Sequence, residues 1–151
     1  MISNKCLSNY VFLADDDEDD RLFFEDALKE VCPEVLLFMA KDGLELMNIL
    51  YKPPVPMPNV LFLDLNMPVK NGFECLEAIK KEDNLKELPI VIFSTTIQDD
   101  AVNRVYKNGA NYYVCKPPGF SQLKSVIKKI LHIDWLKEIS QPPKEKFILS
   151  A

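Results

Sequence analysis

Four short apolar runs each deliver a polar residue at their carboxyl end: Val11-Phe12-Leu13-Ala14, Val60-Leu61-Phe62-Leu63, Ile90-Val91-Ile92-Phe93 and Tyr112-Tyr113-Val114-Cys115. Each run has the length of a strand and no period of 3.6, the pattern of strands buried on both faces of a parallel sheet. Open α/β sheets place their ligands at the carboxyl ends of their strands. Asp15-Asp16-Asp17 ends the first run and Asp64 the second, while Ser94 and Lys116 end the third and fourth. Carboxylates, a hydroxyl and an ammonium at one sheet edge form a set suited to phosphoryl transfer.

The segments between these runs carry helical spacing. Leu22, Phe23, Ala27, Leu28 and Val31 follow the Asp19-Asp20 pair, and acids suit the first turn of a helix, which predicts a start near Asp19. Val35 to Met39 reads as a second strand, followed by Asp42-Gly43 and a short helix through Leu44, Met47 and Leu50. The four prolines between Lys52 and Asn59 remove backbone donors and enforce extended geometry, so this stretch is a stiff surface connector. A third helix starts near Gly72 with Phe73, Leu76 and Ile79 inward. A fourth carries Ala101, Val102, Val105 and Tyr106 until Asn108-Gly109 stops it. The fifth spans Phe120 to Leu131 and is expected to continue through Trp135 toward Ile139, with Pro142-Pro143 as its limit.

Strands alternating with helices predict an α/β, flavodoxin-like, doubly wound five-stranded parallel sheet of order 2-1-3-4-5 with five helices. Its ligand crevice lies between strands one and three, where Asp15, Asp16 and Asp64 meet. The expected organisation is one domain over residues 8–133 and a helical extension and tail over 134–151. A chain of 151 residues with 48% hydrophobic content suffices for one buried core.

The net charge of -5 argues against nucleic-acid binding, which needs clustered Lys and Arg. Cys6, Cys32, Cys75 and Cys115 are widely spaced, without a C-x-x-C pair or a histidine set for zinc, and suggest reduced thiols and a cytoplasmic protein. The first residues lack the apolar core of a signal peptide, and no run approaches the roughly 18 apolar residues of a membrane span.

Three carboxylates brought to about 5 Å repel by about 3 kcal/mol per pair at an effective dielectric of about 20, so Asp15, Asp16 and Asp64 need a cation. All the candidate ligands are oxygens, which selects a hard ion, Mg²⁺ or Mn²⁺. Asp64 can serve as ligand and as nucleophile, accepting a phosphoryl group to form an aspartyl phosphate. Lys116 supplies an ammonium for one phosphate oxygen and Ser94 a hydroxyl for another. A carboxylate ionised at neutral pH needs no general base, in keeping with a chain whose single histidine, His132, lies outside this set.

Asp15-Asp16, Asp64-Leu65-Asn66-Met67-Pro68 with Asn71-Gly72, Ser94-Thr95 and Lys116-Pro117 resemble the motifs of response regulator receiver domains from two-component systems. Ser94 stands 30 positions after Asp64, and Lys116 stands 22 after Ser94, spacings similar to the family's. The resemblance runs from about Tyr10 to about Leu131. It implies Asp64 as phosphoacceptor, Asp16 as a direct metal ligand, Asp15 as a ligand directly or through water, and Asn66 as a ligand through its backbone carbonyl. It implies that Ser94 shifts toward the new phosphate, that Tyr113 follows it inward, and that the Lys116–Pro117 bond is cis. The implied partners are a histidine kinase or phosphotransfer protein as donor and a protein effector, with a homodimer allowed and neither nucleic acid nor membrane involved. Self-phosphorylation and self-dephosphorylation would be the only catalysis. Thr95 stands where a small Ala is frequent, Pro118 replaces the usual aromatic, with Phe120 able to fill that space, and the proline connector is longer than usual.

Other readings meet specific objections. An EF-hand loop over Asp15 to Asp20 would need glycine where Asp20 stands, and a strand precedes it. A phosphohydrolase of haloacid-dehalogenase type, the main alternative, needs a second acid two residues after its nucleophile, where this chain has Asn66. A nucleotide- or flavin-binding module would offer donors to phosphate in its first loop, whereas Asp15 to Asp20 repel it. A docking scaffold that is never phosphorylated would be free to lose one of these residues, and none is missing.

Overall fold

The computed structural model describes residues 6–52, 57–138 and 140–150. The chain alternates β1 (Tyr10–Ala14), α1 (Glu18–Val31), β2 (Leu36–Ala40), α2 (Gly43–Tyr51), β3 (Val60–Leu63), α3 (Gly72–Lys81), β4 (Ile90–Ser94), α4 (Asp99–Lys107), β5 (Tyr112–Cys115) and α5 (Phe120–Leu131). A 3-10 turn (Lys144–Lys146) and a two-residue strand, β6 (Ile148–Leu149), follow. All strand pairs are parallel, in the order β2-β1-β3-β4-β5-β6.

The apolar runs become strands because both of their faces are covered. Val11, Leu13, Val60, Phe62, Val91 and Phe93 pack against α1 and α5 residues such as Phe24, Leu28, Leu123 and Ile127. Their neighbours Phe12, Leu61, Leu63, Ile90 and Ile92 face a second core with Leu46, Leu76, Ile79 and Val105. Alternate residues of a strand point to opposite faces, so a strand between two helical layers must be apolar throughout. Helix starts follow their caps. Asp17, Asp42 and Asn71 accept from the backbone of Asp20, Glu45 and Glu74, and Asn71 with Glu74 completes a capping box. At the end of α4, Gly109 takes φ 99°, the left-handed conformation that favours glycine.

Several expectations are corrected. The sheet has six strands, not five. A two-residue strand after a proline pair carries no legible alternation; it forms because β5 leaves an open edge, where Tyr113 N–H donates to the Phe147 carbonyl at 3.0 Å. Helix α5 ends at Leu131 instead of continuing through Trp135: the Asp134 side chain accepts from Leu136 N–H and its carbonyl from Lys137 and Glu138, which closes a turn. Ile139 and the core of the proline connector, residues 53–56, lie outside the described residues, as do Met1 to Lys5. Cys6 and Cys32, expected as free thiols, form a disulfide, with Cα atoms 6.2 Å apart. A separation of 26 residues concealed a proximity created when Leu7 N–H bonds to the Leu131 carbonyl beside the end of α1. Cys75 and Cys115 are free. No cis peptide bond occurs among the described residues, so Lys116–Pro117 keeps the trans form, the lower in energy for such bonds. No helix among the described residues is long and apolar enough to cross a membrane.

Candidate functional site

Ladder bonds between parallel strands set the depth of every group at the carboxyl edge. Asp15 N–H donates to the Ala40 carbonyl, Asp64 N–H to Ala14 and Lys116 N–H to Ser94, at 3.0, 3.0 and 2.9 Å. These bonds carry each strand one residue past its last apolar position and bring Asp15, Asp64, Ser94 and Lys116 to one rim. Carboxylate oxygens of Asp15, Asp16 and Asp64 lie within 4.8 Å of one another, Asp15 and Asp64 buried and Asp16 exposed.

Lys116 reaches into this cluster. Its Nζ lies 2.8 Å from Asp15 Oδ2, 2.8 Å from Asp20 Oδ2 and 3.3 Å from Asp64 Oδ2. Asp20 was legible in the sequence only as a first-turn acid of α1; the helix starts at Glu18, one residue earlier than expected, and Asp20 meets Lys116 from its first turn. Asp15 Oδ1 accepts from Asp17 N–H at 3.0 Å. Asp15 Oδ2 is buried and, among the described residues, has Lys116 Nζ as its one partner.

Burial pushes the Asp64 carboxyl up to about 6, against the pull of the Lys116 ammonium and with added repulsion from Asp15. Burial raises Asp15 as well, opposed by Lys116. For Lys116 burial disfavours the charge, but bonds to Asp15 and Asp20 and the field of Asp64 outweigh it and hold the ammonium above its usual value. The all-oxygen donor set of Asp15, Asp16 and Asp64, with carboxylate oxygens within 4.8 Å of one another, fits a hard dication such as Mg²⁺ or Mn²⁺.

The β3–α3 loop is held tightly against Asp64. Asn66 N–H donates to Asp64 Oδ1 at 3.3 Å. Val69 has φ 67°, at the centre of a γ-turn closed by Lys70 N–H to the Pro68 carbonyl. Gly72 N–H returns to the Leu65 carbonyl, and a Cβ on Gly72 would stand 2.2 Å from the Asp64 carbonyl oxygen, so only glycine permits this approach.

Thr96 joins the remaining groups. Its N–H donates to Ser94 Oγ at 3.2 Å, its Oγ1 accepts from the Asn66 amide at 3.2 Å, and its carbonyl accepts from the Tyr113 hydroxyl at 2.5 Å. Ser94 is fully buried, and Tyr113 is the inward member of the tyrosine pair, while Tyr112 packs against Trp135. Phe120, considered as a filler beside Pro118, packs its ring on Phe23. The structure thus brings together Asp15, Asp16, Asp64, Ser94 and Lys116, with Tyr113 linked through Thr96. Sequence reasoning missed Asp20 and the role of Thr96 as a junction. Thr96 had the weak signal of the third hydroxyl in the run Ser94-Thr95-Thr96 that ends β4.

The sequence matches the response regulator receiver domain family over residues 11–128. Response regulator Rcp1 of Synechocystis sp. is 31% identical over 138 residues, covering 87% of this chain and 92% of that protein. Two-component response regulator ARR17 of Arabidopsis thaliana is 30% identical, over 82% of this chain and 89% of its own length. The crystal structure of the phosphorylated cyanobacterial phytochrome response regulator RcpA superposes with a TM-score of 0.77 at 31% identity, over 89% of this chain and 99% of that one. The Mn²⁺-bound form of Rcp1 superposes at 0.74 and 29% identity, with the same coverage. Asn66 offers no acid where a haloacid-dehalogenase-type hydrolase needs one, and the family match and the relatives named above give that activity no support. The chain belongs to the response regulator receiver domains of two-component signalling systems.

Proposed function

We propose that Asp64 accepts a phosphoryl group from the phosphohistidine of a histidine kinase or phosphotransfer protein. The Asp64 oxygen forms a bond to phosphorus as the donor P–N bond breaks, and the departing imidazole nitrogen keeps the electron pair. The observation that carries this reading is the position of Lys116 Nζ, 3.3 Å from Asp64 Oδ2 at the rim of a buried carboxylate cluster. That ammonium can follow the acceptor oxygen onto the phosphoryl group and hold one of its oxygens.

Asp15, Asp16, Asp64 and the Asn66 backbone carbonyl would hold a divalent ion, and bound Mg²⁺ or Mn²⁺ would neutralise charge on the phosphoryl oxygens. A Mn²⁺-bound form of the relative Rcp1 supports this assignment. Ser94 donates its hydroxyl to a phosphate oxygen. Its Oγ accepts from Thr96 N–H, and the Thr96 carbonyl accepts from Tyr113, so movement of Ser94 is passed to the aromatic ring. The phosphate adds up to about two negative charges and three acceptors, enough to bias two arrangements of this network. A protein effector in the cytoplasm reads the altered α4–β5 surface, and self-phosphorylation and self-dephosphorylation are the only reactions catalysed.

Incubation with Mg²⁺ and phosphoramidate, followed by intact mass measurement, should show one added phosphoryl group that Asp64→Asn removes. A folded protein that stays unmodified under saturating donor and Mg²⁺ would refute the assignment.

A further inference from the structure

The Lys116 ammonium has three hydrogens to donate and three carboxylates around it, and the three are not equivalent. Asp15 and Asp64 belong to the acidic group whose oxygens converge within 4.8 Å; Asp20 stands outside it. Nζ donates to Asp20 Oδ2 at 2.8 Å and to Asp64 Oδ2 at 3.3 Å, so the shorter of these two bonds goes to the acid that is not in the metal set. The Asp20 side chain is 40% exposed, against 0% for Asp15 and 6% for Asp64, and therefore keeps a charge with less desolvation than either.

The place of Asp20 is fixed by the start of α1. The Asp17 side chain accepts from Asp20 N–H at 3.1 Å, Asp17 N–H donates to Asp15 Oδ1 at 3.0 Å, and Arg21 Nη1 donates to the Asp15 carbonyl at 2.8 Å. These bonds lock the first helical turn to the end of β1 and set Asp20 facing the residue that follows β5. The ammonium it meets also lies 5.7 Å from the centroid of the Phe93 ring, within cation–π range. A dication on Asp15, Asp16 and Asp64 would offset the charge of those carboxylates and slacken their pull on Lys116. Of the three partners, Asp20 then keeps its full attraction.

We propose that Asp20 is the positioning residue for Lys116: it holds the ammonium beside Asp64 once the charge of the cluster is offset, where Lys116 can take an oxygen of the incoming phosphoryl group. This role rests on the reading of Asp64 as phosphoacceptor.

The full chain with Asp20→Asn, in Mg²⁺, tests it. In ¹H–¹⁵N spectra without any phosphodonor, the Lys116 ammonium signal should be protected from solvent exchange in the parent chain and lost in Asp20→Asn. The maximal rate of modification by phosphoramidate should fall about fivefold, the upper end for a half-exposed ion pair, and Asp20→Glu should recover most of it. In a Lys116→Gln background Asp20→Asn should cause no further loss, since the residue acts through Lys116. Calorimetry should find Mg²⁺ affinity within about twofold of the parent, because one exposed charge outside the metal set is largely screened. A protected Lys116 signal and parental rate in Asp20→Asn, or a rate loss that recurs in the Lys116→Gln background, would overturn the proposal. So would a loss of Mg²⁺ affinity beyond about tenfold, which would make Asp20 a metal ligand instead. A parent chain that gains no phosphoryl group would refute the Asp64 assignment and this role with it, whereas failure of the Asp20 role alone leaves modification of the parent intact.

Discussion

The ring of Tyr113 packs edge-on against Phe147, with centroids 6.2 Å apart, and the Tyr113 amide donates to the Phe147 carbonyl at 3.0 Å. Phe147 is fully buried and also meets Tyr106 edge-on at 4.9 Å. Gln141 Nε2 donates to the Tyr106 and Ala110 carbonyls, and the Tyr106 hydroxyl donates to Pro142. The C-terminal segment is therefore a strap across α4 and β5, anchored by one phenylalanine.

Removing that anchor should be costly. Phe147→Ala is expected to lower stability by about 3–5 kcal/mol, the usual range for a buried phenylalanine. Urea unfolding monitored by circular dichroism gives the value. A loss below about 1 kcal/mol would show that the strap is not part of the core.

The buried Asp64 carboxyl makes the metal-free protein pH-sensitive. Its value rises from 3.8 to about 6 on folding, so the folded state favours the neutral acid. The ionised side chain costs nothing below about pH 4, where both states are protonated, and the cost grows until pH passes about 6. Asp64→Asn should thus be more stable than the parent chain by about 2–3 kcal/mol at pH 7.5 in EDTA, at 1.36 kcal/mol per pKa unit, with the gain vanishing near pH 4. Paired thermal melts at the two pH values test the sign.

Lys116 is the counter-charge of the cluster. Lys116→Gln leaves Asp15, fully buried, and Asp64, 4% exposed, without their cation, and should cost about 3–5 kcal/mol in EDTA. Added Mg²⁺ should restore part of that loss and stabilise the variant more than the parent chain. Denaturation with and without Mg²⁺ checks both statements.

Gly72 is sterically constrained. Gly72→Ala places a Cβ 2.2 Å from the Asp64 carbonyl oxygen and 2.7 Å from Leu65 Cα, both backbone atoms that cannot swing aside. We expect a loss of about 2–3 kcal/mol from overpacking and slower modification of Asp64 by phosphoramidate. Gly119→Ala is the control, because its nearest contact is the flexible Gln122 side chain.

Much of the architecture was legible because burial on two sides leaves a strong mark. β1, β3, β4 and β5 read as unbroken apolar runs, and Asp15, Asp64, Ser94 and Lys116 follow from where those runs stop. Caps made helix starts legible to within a residue or two: Asp17 displaced the expected start of α1 only from Asp19 to Glu18. Leu36, half-exposed at the sheet edge, begins β2 one residue later than Val35, where the apolar signal is weaker. Nothing local announced β6, the Cys6–Cys32 bond or the arrest of α5 before Trp135.

The order of residue types along the chain determined the parallel sheet, its acidic carboxyl rim and the identity of the groups that face it, since these depend on periodicity and on where apolar runs end. Tertiary structure alone decided that Lys116 lies among three acids including Asp20, that Thr96 links Asn66, Ser94 and Tyr113, and that Phe147 closes the β5 edge. Those contacts join positions dozens of residues apart through the free energy of packing and pairing, which no window of sequence contains.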